Sequence, residues 1–218
     1  MFDTAWQESR KSLLACTLRM LSGVRCLWRR PPPERQAVYY ANHTSHLDAL
    51  LIWACLPDAV RGRTRPVAAG DYWRRKGLRE YFAADMFNAV FVERAGGFNR
   101  SGAERALSPL YDALDQGDSL ILFPEGTRNR SDAKLLPFKS GLYRIALAYP
   151  QVALVPVWLE NLNRMLPKGA WLPLPLLCSL IMGEALAPAQ SDEPRRAFLQ
   201  RAETALLTLC PSPEPSSK

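Results

Sequence analysis

Histidine is scarce in this sequence, with two among 218 residues, His43 and His46, in one short segment. Because they lie so close together and no C-x-x-C pair accompanies them, we predict no metal site. An odd number of cysteines fits a reducing compartment better than a disulfide framework. The five cysteines are Cys16, Cys26, Cys55, Cys178 and Cys210.

Long apolar runs are also missing. In the first thirty residues the longest uncharged stretch is Ser12–Leu18, and the uncharged stretch Gly169–Gly183 contains Pro173 and Pro175. Both are shorter than the roughly 20 residues that a membrane-spanning helix needs. Charges dispersed through the N-terminal region also argue against a signal peptide. We interpret 169–183 as late strands or an apolar rim.

Acidic residues are fewer than basic ones, 21 against 28, which gives a net charge of +7. This excess favours anionic partners such as lipid headgroups or nucleic acid. Basic residues beside interfacial aromatics suit an anionic bilayer surface, although a solvated charged helix is the alternative. The densest group contains Arg61, Arg63, Arg65, Arg74, Arg75, Lys76 and Arg79, with Tyr72 and Trp73 among them.

The first thirty residues predict a basic amphipathic helix, 1–30. On a helical wheel its apolar side chains fill less than half the circle, with basic side chains opposite and Arg10 intruding on the apolar side. Such a helix lies in a membrane interface rather than across it. The alternative is a helix that packs on the domain through the same face. The apolar arc holds Trp6, Leu13, Leu14, Cys16, Met20, Leu21, Val24, Leu27 and Trp28, and Lys11, Arg19, Arg29 and Arg30 lie opposite.

Pro31-Pro32-Pro33 ends this helix and begins a single main domain, 34–210. Strand and helix patterns alternate from there, which predicts an α/β class with a largely parallel sheet flanked by helices. Residues 211–218 are predicted to be a disordered tail. The strand patterns cover 36–41, 88–94, 119–123 and 152–158, and the helix patterns 48–55, 72–84, 101–114, 140–148 and 192–209.

The segment Asn42–Asp48 carries a carboxylate five residues after His43. Residues five apart on an ideal helix point about 140° away from each other, so these two cannot meet on one helix face. They can meet if His43 lies in the loop after strand 36–41 and Asp48 lies in the first turn of the next helix. Asp48 would then hold one ring nitrogen while the other removes a proton from a substrate hydroxyl.

A structural interpretation of the same segment is compatible with this one. Ser45-His46-Leu47-Asp48 fits a capping box, in which Ser45 caps the helix and Asp48 reaches back to it. His46 is then a packing or capping neighbour rather than the base.

The segment Phe123–Arg128 follows the apolar strand 119–123, at the edge where open α/β sheets bind ligands. Gly126 lets the backbone come close to a bound anion, and the planar fork of Arg128 suits a phosphate. The alternative is an ordinary turn with solvated arginines. Two further cations, Arg130 and Lys139, lie just beyond.

Four blocks follow one another between about residues 36 and 160. The first is His-x4-Asp at 43–48, and the third is Phe-Pro-Glu-Gly-Thr-Arg at 123–128. The second is Phe-Val-Glu-Arg at 91–94, and the fourth is Val-Pro-Val at 155–157. This ordered set resembles the glycerolipid acyltransferase family, whose best-known members are 1-acylglycerol-3-phosphate acyltransferases. One departure is Asn88, which stands where the second block of the family usually has glycine.

The resemblance implies transfer of a fatty acyl group from acyl-CoA or acyl carrier protein to the free hydroxyl of lysophosphatidate, without another cofactor. His43 would be the general base, with Asp48 as its orienting partner. Direct attack on the thioester agrees with the lack of a Gly-x-Ser-x-Gly nucleophile elbow. The implied acceptor site holds Arg94, Glu125, Gly126, Thr127 and Arg128, with Arg130 and Lys139 as possible phosphate or donor contacts.

Two other functions compete with this one. The same fold could acylate glycerol 3-phosphate or another lysolipid. A non-catalytic protein that binds anionic lipid or nucleic acid would leave the pairing of the two main segments unexplained, so we expect no nucleic-acid partner. The expected location is peripheral or monotopic, on the cytoplasmic face of a membrane with an anionic surface.

Overall fold

The computed structural model describes residues 2–69, 87–92, 100–160 and 178–211. The strands within these ranges are β1 (Arg25–Trp28), β2 (Ala37–Ala41), β3 (Thr64–Ala69), β4 (Val90–Val92), β5 (Ser119–Leu122), β6 (Ala153–Glu160) and β7 (Ser179–Met182). The helices are α1 (Phe2–Ser22), α2 (Asp48–Cys55), α3 (Asp58–Arg61), α4 (Arg100–Asp115), α5 (Gly141–Ala148) and α6 (Arg195–Leu207).

The strands form one sheet in the order β1-β7-β6-β2-β5-β3-β4. Neighbouring strands run parallel except for β6 and β7, which are antiparallel. This confirms the predicted α/β class with a largely parallel sheet. Because β2 lies between β6 and β5, the loops after β2 and β5 emerge side by side, although some eighty residues separate them in the sequence.

Apolar residues cover both faces of the sheet, as expected for parallel strands between helices. Every residue of β2 is buried. Tyr39 belongs to the cluster beneath α1 and α2, while Tyr40 belongs to the cluster beneath α5 and α6. Burial raises the pKa of Tyr39 to about 12, so its side chain is a neutral core group.

The N-terminal helix is shorter than predicted. α1 ends at Ser22, where Gly23 adopts a φ of +60°, and the chain then enters β1. β1 pairs in parallel with β7, so Val24, Leu27 and Trp28 do not continue the helix. The sheet therefore includes β1, a strand that lies before the predicted boundary at Pro31. A short strand of alternating exposure was missed because its apolar residues also fitted the helical wheel.

α1 packs on the domain and also keeps apolar side chains exposed. Ala15 is fully buried and Leu18 packs against the core. On the opposite face Trp6 is 66% exposed, Leu13 69% and Met20 79%. One face of α1 therefore docks on the domain, whereas Trp6, Leu13 and Met20 of the predicted apolar arc stay exposed. Contact of that arc with a membrane stays a prediction.

A disulfide joins Cys26 of β1 to Cys55 at the end of α2, with Cα atoms 6.2 Å apart. This bond runs against the expectation, drawn from the odd number of cysteines, of a reducing compartment rather than a disulfide framework. The count was uninformative because three cysteines, Cys16, Cys178 and Cys210, remain free.

Three residues of the predicted basic patch make contacts within the domain, although Arg63 is itself exposed. Arg61 is only 4% exposed, lies over the Trp53 ring and pairs with Asp58. Arg65 pairs with Asp118 at 3.0 Å, and Arg63 donates to the carbonyl of Glu34. The charge count over residues 61–79 did not include these partners, because Asp58, Asp118 and Glu34 lie outside that window.

The remaining predicted elements have mixed outcomes. Helix 48–55 is confirmed at both ends, and the closing helix begins three residues later than predicted, at Arg195. The predicted helix 72–84, most of 169–183 and nearly all of the tail lie outside the described residues. Within the described ranges, no helix combines the length and the apolar character that crossing a bilayer requires.

Candidate active site

The loop that carries His43 begins directly after β2. Asn42 anchors it to β6, because its side-chain amide donates to the Leu159 carbonyl at 2.9 Å and accepts the Leu159 N–H at 2.8 Å. Asn42 is itself only 3% exposed. This pair of bonds fixes the point at which the chain leaves the sheet, so His43 starts from a rigid base.

His43 and Asp48 meet as the loop geometry predicts. His43 Nδ1 lies 2.8 Å from Asp48 Oδ2, and Asp48 is the first residue of α2. A buried carboxylate only accepts hydrogen bonds, so Nδ1 carries the proton and Nε2 is left as the basic nitrogen. The arrangement gives the imidazole a defined tautomer and orientation.

Asp48 also organises the loop around the histidine. Its Oδ2 accepts the N–H groups of Thr44 at 2.6 Å and Ser45 at 2.8 Å. The reach back to Ser45 is the half of the capping box that was predicted for Asp48. The Ser45 hydroxyl instead accepts the N–H of Leu47, so it does not cap α2. Through Oδ2 alone, Asp48 therefore accepts hydrogen bonds from both the loop backbone and the histidine ring.

The turn after β5 holds His43 from a second side. The Phe123 ring stacks on the His43 ring with centroids 4.1 Å apart and planes 17° apart. The Asn129 N–H donates to the His43 carbonyl at 2.7 Å. The two main sequence segments are therefore in direct contact.

Glu125 lies beneath this contact and is 2% exposed. Its Oε1 accepts the His43 N–H at 2.9 Å, and its Oε2 accepts the Leu136 N–H at 3.0 Å. Burial raises the pKa of Glu125 above its usual range, although the two N–H groups oppose this shift. The carboxylate faces the backbone, so it holds the His43 and Leu136 segments in position.

Gly126 adopts a φ of +67°, a conformation that glycine enters without strain. A Cβ at this position would lie 2.7 Å from Lys139 Nζ and 2.8 Å from its Cδ. The Lys139 N–H also donates to the Pro124 carbonyl at 2.8 Å. The glycine thus makes room for a lysine side chain, which brings an ammonium group against the turn.

Arg128 differs from the other arginines that the fold partly buries. Among described residues, five arginines are buried or half-buried, and four of them pair with carboxylates. Arg128 is the fifth, and no described carboxylate pairs with it. Burying an unpaired charge is costly, so this guanidinium favours an anionic ligand. Thr127 and Arg130 are exposed beside it.

The site therefore combines an oriented base with an adjacent cationic turn. A family model described as Acyltransferase matches residues 27–160, which is more than half of the chain. The chain belongs to the acyltransferase family. The match includes all four sequence blocks.

The curated relatives described below are named for the same activity. The chain is 29% identical over 167 residues to a 1-acyl-sn-glycerol-3-phosphate acyltransferase of Chlamydomonas reinhardtii, a match that covers 75% of this chain and 46% of the relative. It is 32% identical over 156 residues to the human 1-acyl-sn-glycerol-3-phosphate acyltransferase alpha, which covers 68% of this chain and 50% of the relative. The chain spans about half the length of these relatives.

A solved structure has the same acyltransferase fold. It is the 1-acyl-sn-glycerophosphate acyltransferase PlsC from Thermotoga maritima, with a TM-score of 0.69 and 22% sequence identity. The match covers 93% of this chain and 78% of that one. At this identity the likeness supports the fold.

The second family block is described only in part. β4 ends at Val92, so Arg94, the predicted phosphate ligand, lies outside the described residues. Asn88 is described and adopts a φ of +47°, the left-handed region that favours glycine. Asparagine tolerates this region better than most other side chains, so it can stand where the family usually has glycine.

Three contributors to the site were not predicted from the sequence. Asn42, Asn129 and Leu136 hold the His43 loop and the Glu125 carboxylate through backbone or amide hydrogen bonds. Backbone donors carry no sequence signal. Asn42 and Asn129 could have been noticed because each directly adjoins a predicted block.

Proposed function

We propose that this protein transfers a fatty acyl group from the thioester of acyl-CoA or acyl carrier protein to the free hydroxyl of 1-acylglycerol-3-phosphate, giving phosphatidate. The observation that carries the proposal is the bond of 2.8 Å between His43 Nδ1 and the buried Asp48 carboxylate, beside a cationic turn. The names of the curated relatives support this choice of acceptor.

In the proposed mechanism His43 Nε2 takes the proton of the acceptor hydroxyl as its oxygen attacks the thioester carbonyl. Asp48 stabilises the imidazolium that forms and keeps the ring in position. The thiolate of the donor leaves when the tetrahedral intermediate collapses, and it receives the proton. A positioned base of this kind contributes about 10²- to 10⁴-fold in rate. The step uses no cofactor beyond the thioester co-substrate.

The acceptor phosphate is assigned to Arg128, which is half-buried and pairs with no described carboxylate. Lys139 is the second candidate, because its ammonium lies against Gly126 in the same turn. Thr127 and Arg130 are close enough in sequence to contact the phosphate or the donor. Arg94 remains a candidate through the family block alone.

We propose that the protein acts at a membrane surface, since the proposed acceptor is a lipid. The outer face of α1 offers Trp6, Leu13 and Met20 to the acyl region, with the exposed Arg10 beside them. Apolar side chains flanked by cations suit an anionic interface. The proposed side is the cytoplasmic one, where acyl-CoA and acyl carrier protein are supplied. Because disulfides are rare in the cytosol, a count of free thiols in the unreduced protein, which checks the Cys26–Cys55 bond, also tests the proposed side.

The test is acyl transfer by purified protein in detergent or liposomes, with lysophosphatidate as acceptor and acyl-CoA or acyl carrier protein as donor. Phosphatidate is measured by mass spectrometry, and His43→Ala is the matched variant. We expect product from the wild type and a rate lower by about 10²- to 10⁴-fold from a folded His43→Ala protein.

Parallel reactions with glycerol 3-phosphate and with other lysolipids separate the alternative acceptors. Product from one of these alone would keep the mechanism and replace the substrate. Undiminished product from folded His43→Ala would refute the assigned base.

A further inference from the structure

We propose that Glu125 is a positioning residue that acts on His43, rather than a ligand of the acceptor. The inference rests on the proposed function, because it assigns a role within that reaction. The family block makes Glu125 part of the acceptor site, whereas its contacts in the structure are with the backbone of the histidine loop.

The first argument is geometric. Each Glu125 oxygen accepts one backbone N–H, from His43 at 2.9 Å and from Leu136 at 3.0 Å. The side chain is 2% exposed, so a lipid headgroup has almost no surface to contact. A buried carboxylate would also repel a phosphate. These features suit a group that ties segments of backbone together.

The second argument comes from what the carboxylate ties together. The same turn binds the His43 carbonyl through the Asn129 N–H and stacks Phe123 on the ring. His43 is therefore held at its N–H, its carbonyl and its ring face by one turn, while Asp48 holds Nδ1. Removing the Glu125 bond leaves the ring contacts and the Asn129 bond but releases the N–H of His43.

The third argument concerns the segment on the other side of Glu125. Leu136 lies three residues before Lys139, whose side chain covers Gly126. One carboxylate thus fixes the distance between the loop of the base and the loop of a candidate anion ligand. A shift of a general base by about 1 Å is enough to cost roughly a hundredfold in rate.

The experiment compares Glu125→Gln with Glu203→Gln. Glu203 is a matched control, since its Oε1 accepts the N–H of Phe138, a residue of the same loop, at 3.0 Å. Among the described contacts, none joins Glu203 to His43. We expect Glu125→Gln to lower kcat at least tenfold with the KM for lysophosphatidate changed less than twofold, and Glu203→Gln to keep both values. Thermal melting of each variant shows whether it is folded.

A second measurement does not require turnover. The chain has two histidines, so imidazole 15N–1H spectra contain two rings. We expect the Nδ1–H signal of His43 to shift or broaden in Glu125→Gln and to persist in Glu203→Gln. If Glu125→Gln does not fold, Glu125→Asp, which keeps the charge but cannot reach both donors, takes its place in both measurements.

The outcomes separate this inference from the proposed function. A raised KM with unchanged kcat in Glu125→Gln would overturn the positioning role and restore acceptor binding. If the wild type transfers no acyl group to any acceptor, the proposed function fails and the imidazole spectra decide alone. An unchanged His43 signal in Glu125→Gln would then refute the inference, and a displaced signal would support it.

Discussion

Asp48→Asn is the sharpest test of the proposed base, because it changes a charge and almost no volume. Asp48 Oδ2 accepts His43 Nδ1–H and the N–H groups of Thr44 and Ser45. Its Oδ1 is buried and has no hydrogen-bond partner among the described residues. An asparagine can place its carbonyl at Oδ2 and its NH2 at Oδ1, so the loop should keep its shape.

The expected loss of rate follows from the charge. Charge centres about 4 Å apart attract by roughly 4 kcal/mol at an effective dielectric constant of about 20. This attraction exists only when the imidazole becomes protonated, which happens in the transition state. At about 1.36 kcal/mol per tenfold, Asp48→Asn should lower kcat about a thousandfold. The acceptor KM should change little, since Asp48 is fully buried.

The assay measures phosphatidate formation by wild type, Asp48→Asn, His43→Ala and the double variant. Because Asp48 is expected to act through His43, adding Asp48→Asn to His43→Ala should cost nothing further. A folded Asp48→Asn protein that keeps more than a tenth of the wild-type kcat would refute the reasoning. So would a double variant that is a further thousandfold slower than His43→Ala.

Four other predictions follow from single features of the structure. Arg128→Ala should raise the KM for lysophosphatidate about tenfold or more with little change in kcat, since a hydrogen bond to a charged group contributes about 1.5–3 kcal/mol; steady-state kinetics would contradict this if kcat fell instead. Asn88→Gly should leave stability within about 0.5 kcal/mol of the wild type, whereas Asn88→Val should lose about 1–2 kcal/mol in urea titrations, because a β-branched side chain resists positive φ. In unreduced, denatured protein, three of the five cysteines should react with a thiol reagent, and five reactive thiols would exclude the disulfide. Replacing Cys26 and Cys55 by serine should lower the free energy of unfolding by about 3–4 kcal/mol for a loop of this length. Because the pKa of Glu125 is raised, its contribution to stability is fully present below about pH 4.5 and declines as pH rises through the raised value. Between pH 4 and pH 7 the melting temperature of the wild type should therefore fall relative to that of Glu125→Gln.

The sequence was sufficient for the fold class and for the meeting of His43 with Asp48. Both depend on local patterns, since an apolar strand, a loop and the first turn of a helix fix that geometry within a few residues. The strands that were missed, β1 and β3, lack this signal. β1 is short and half-exposed, and β3 carries Arg65 and Pro66 and lies in a segment with the composition of a charged surface.

The role of Glu125 could not be predicted for a different reason. Its partners are two backbone N–H groups, at positions 82 residues before it and 11 residues after it. Any residue except proline offers such a donor, so neither partner is visible as a residue type. The block as a whole pointed to the right place in the fold. Within the block, Glu125 is directed inward to the backbone, whereas Arg128 is partly exposed.

The charge of the chain shows the same limit of composition. A net charge of +7 predicts an anionic partner without saying where it binds. The fold neutralises Arg61 and Arg65 with Asp58 and Asp118, which removes two of the cations that had been assigned to a membrane patch. Arg128 is half-buried but pairs with no described carboxylate. Since pairing is a tertiary property, the number of cations in the sequence is a poor guide to which of them remain unpaired in the fold.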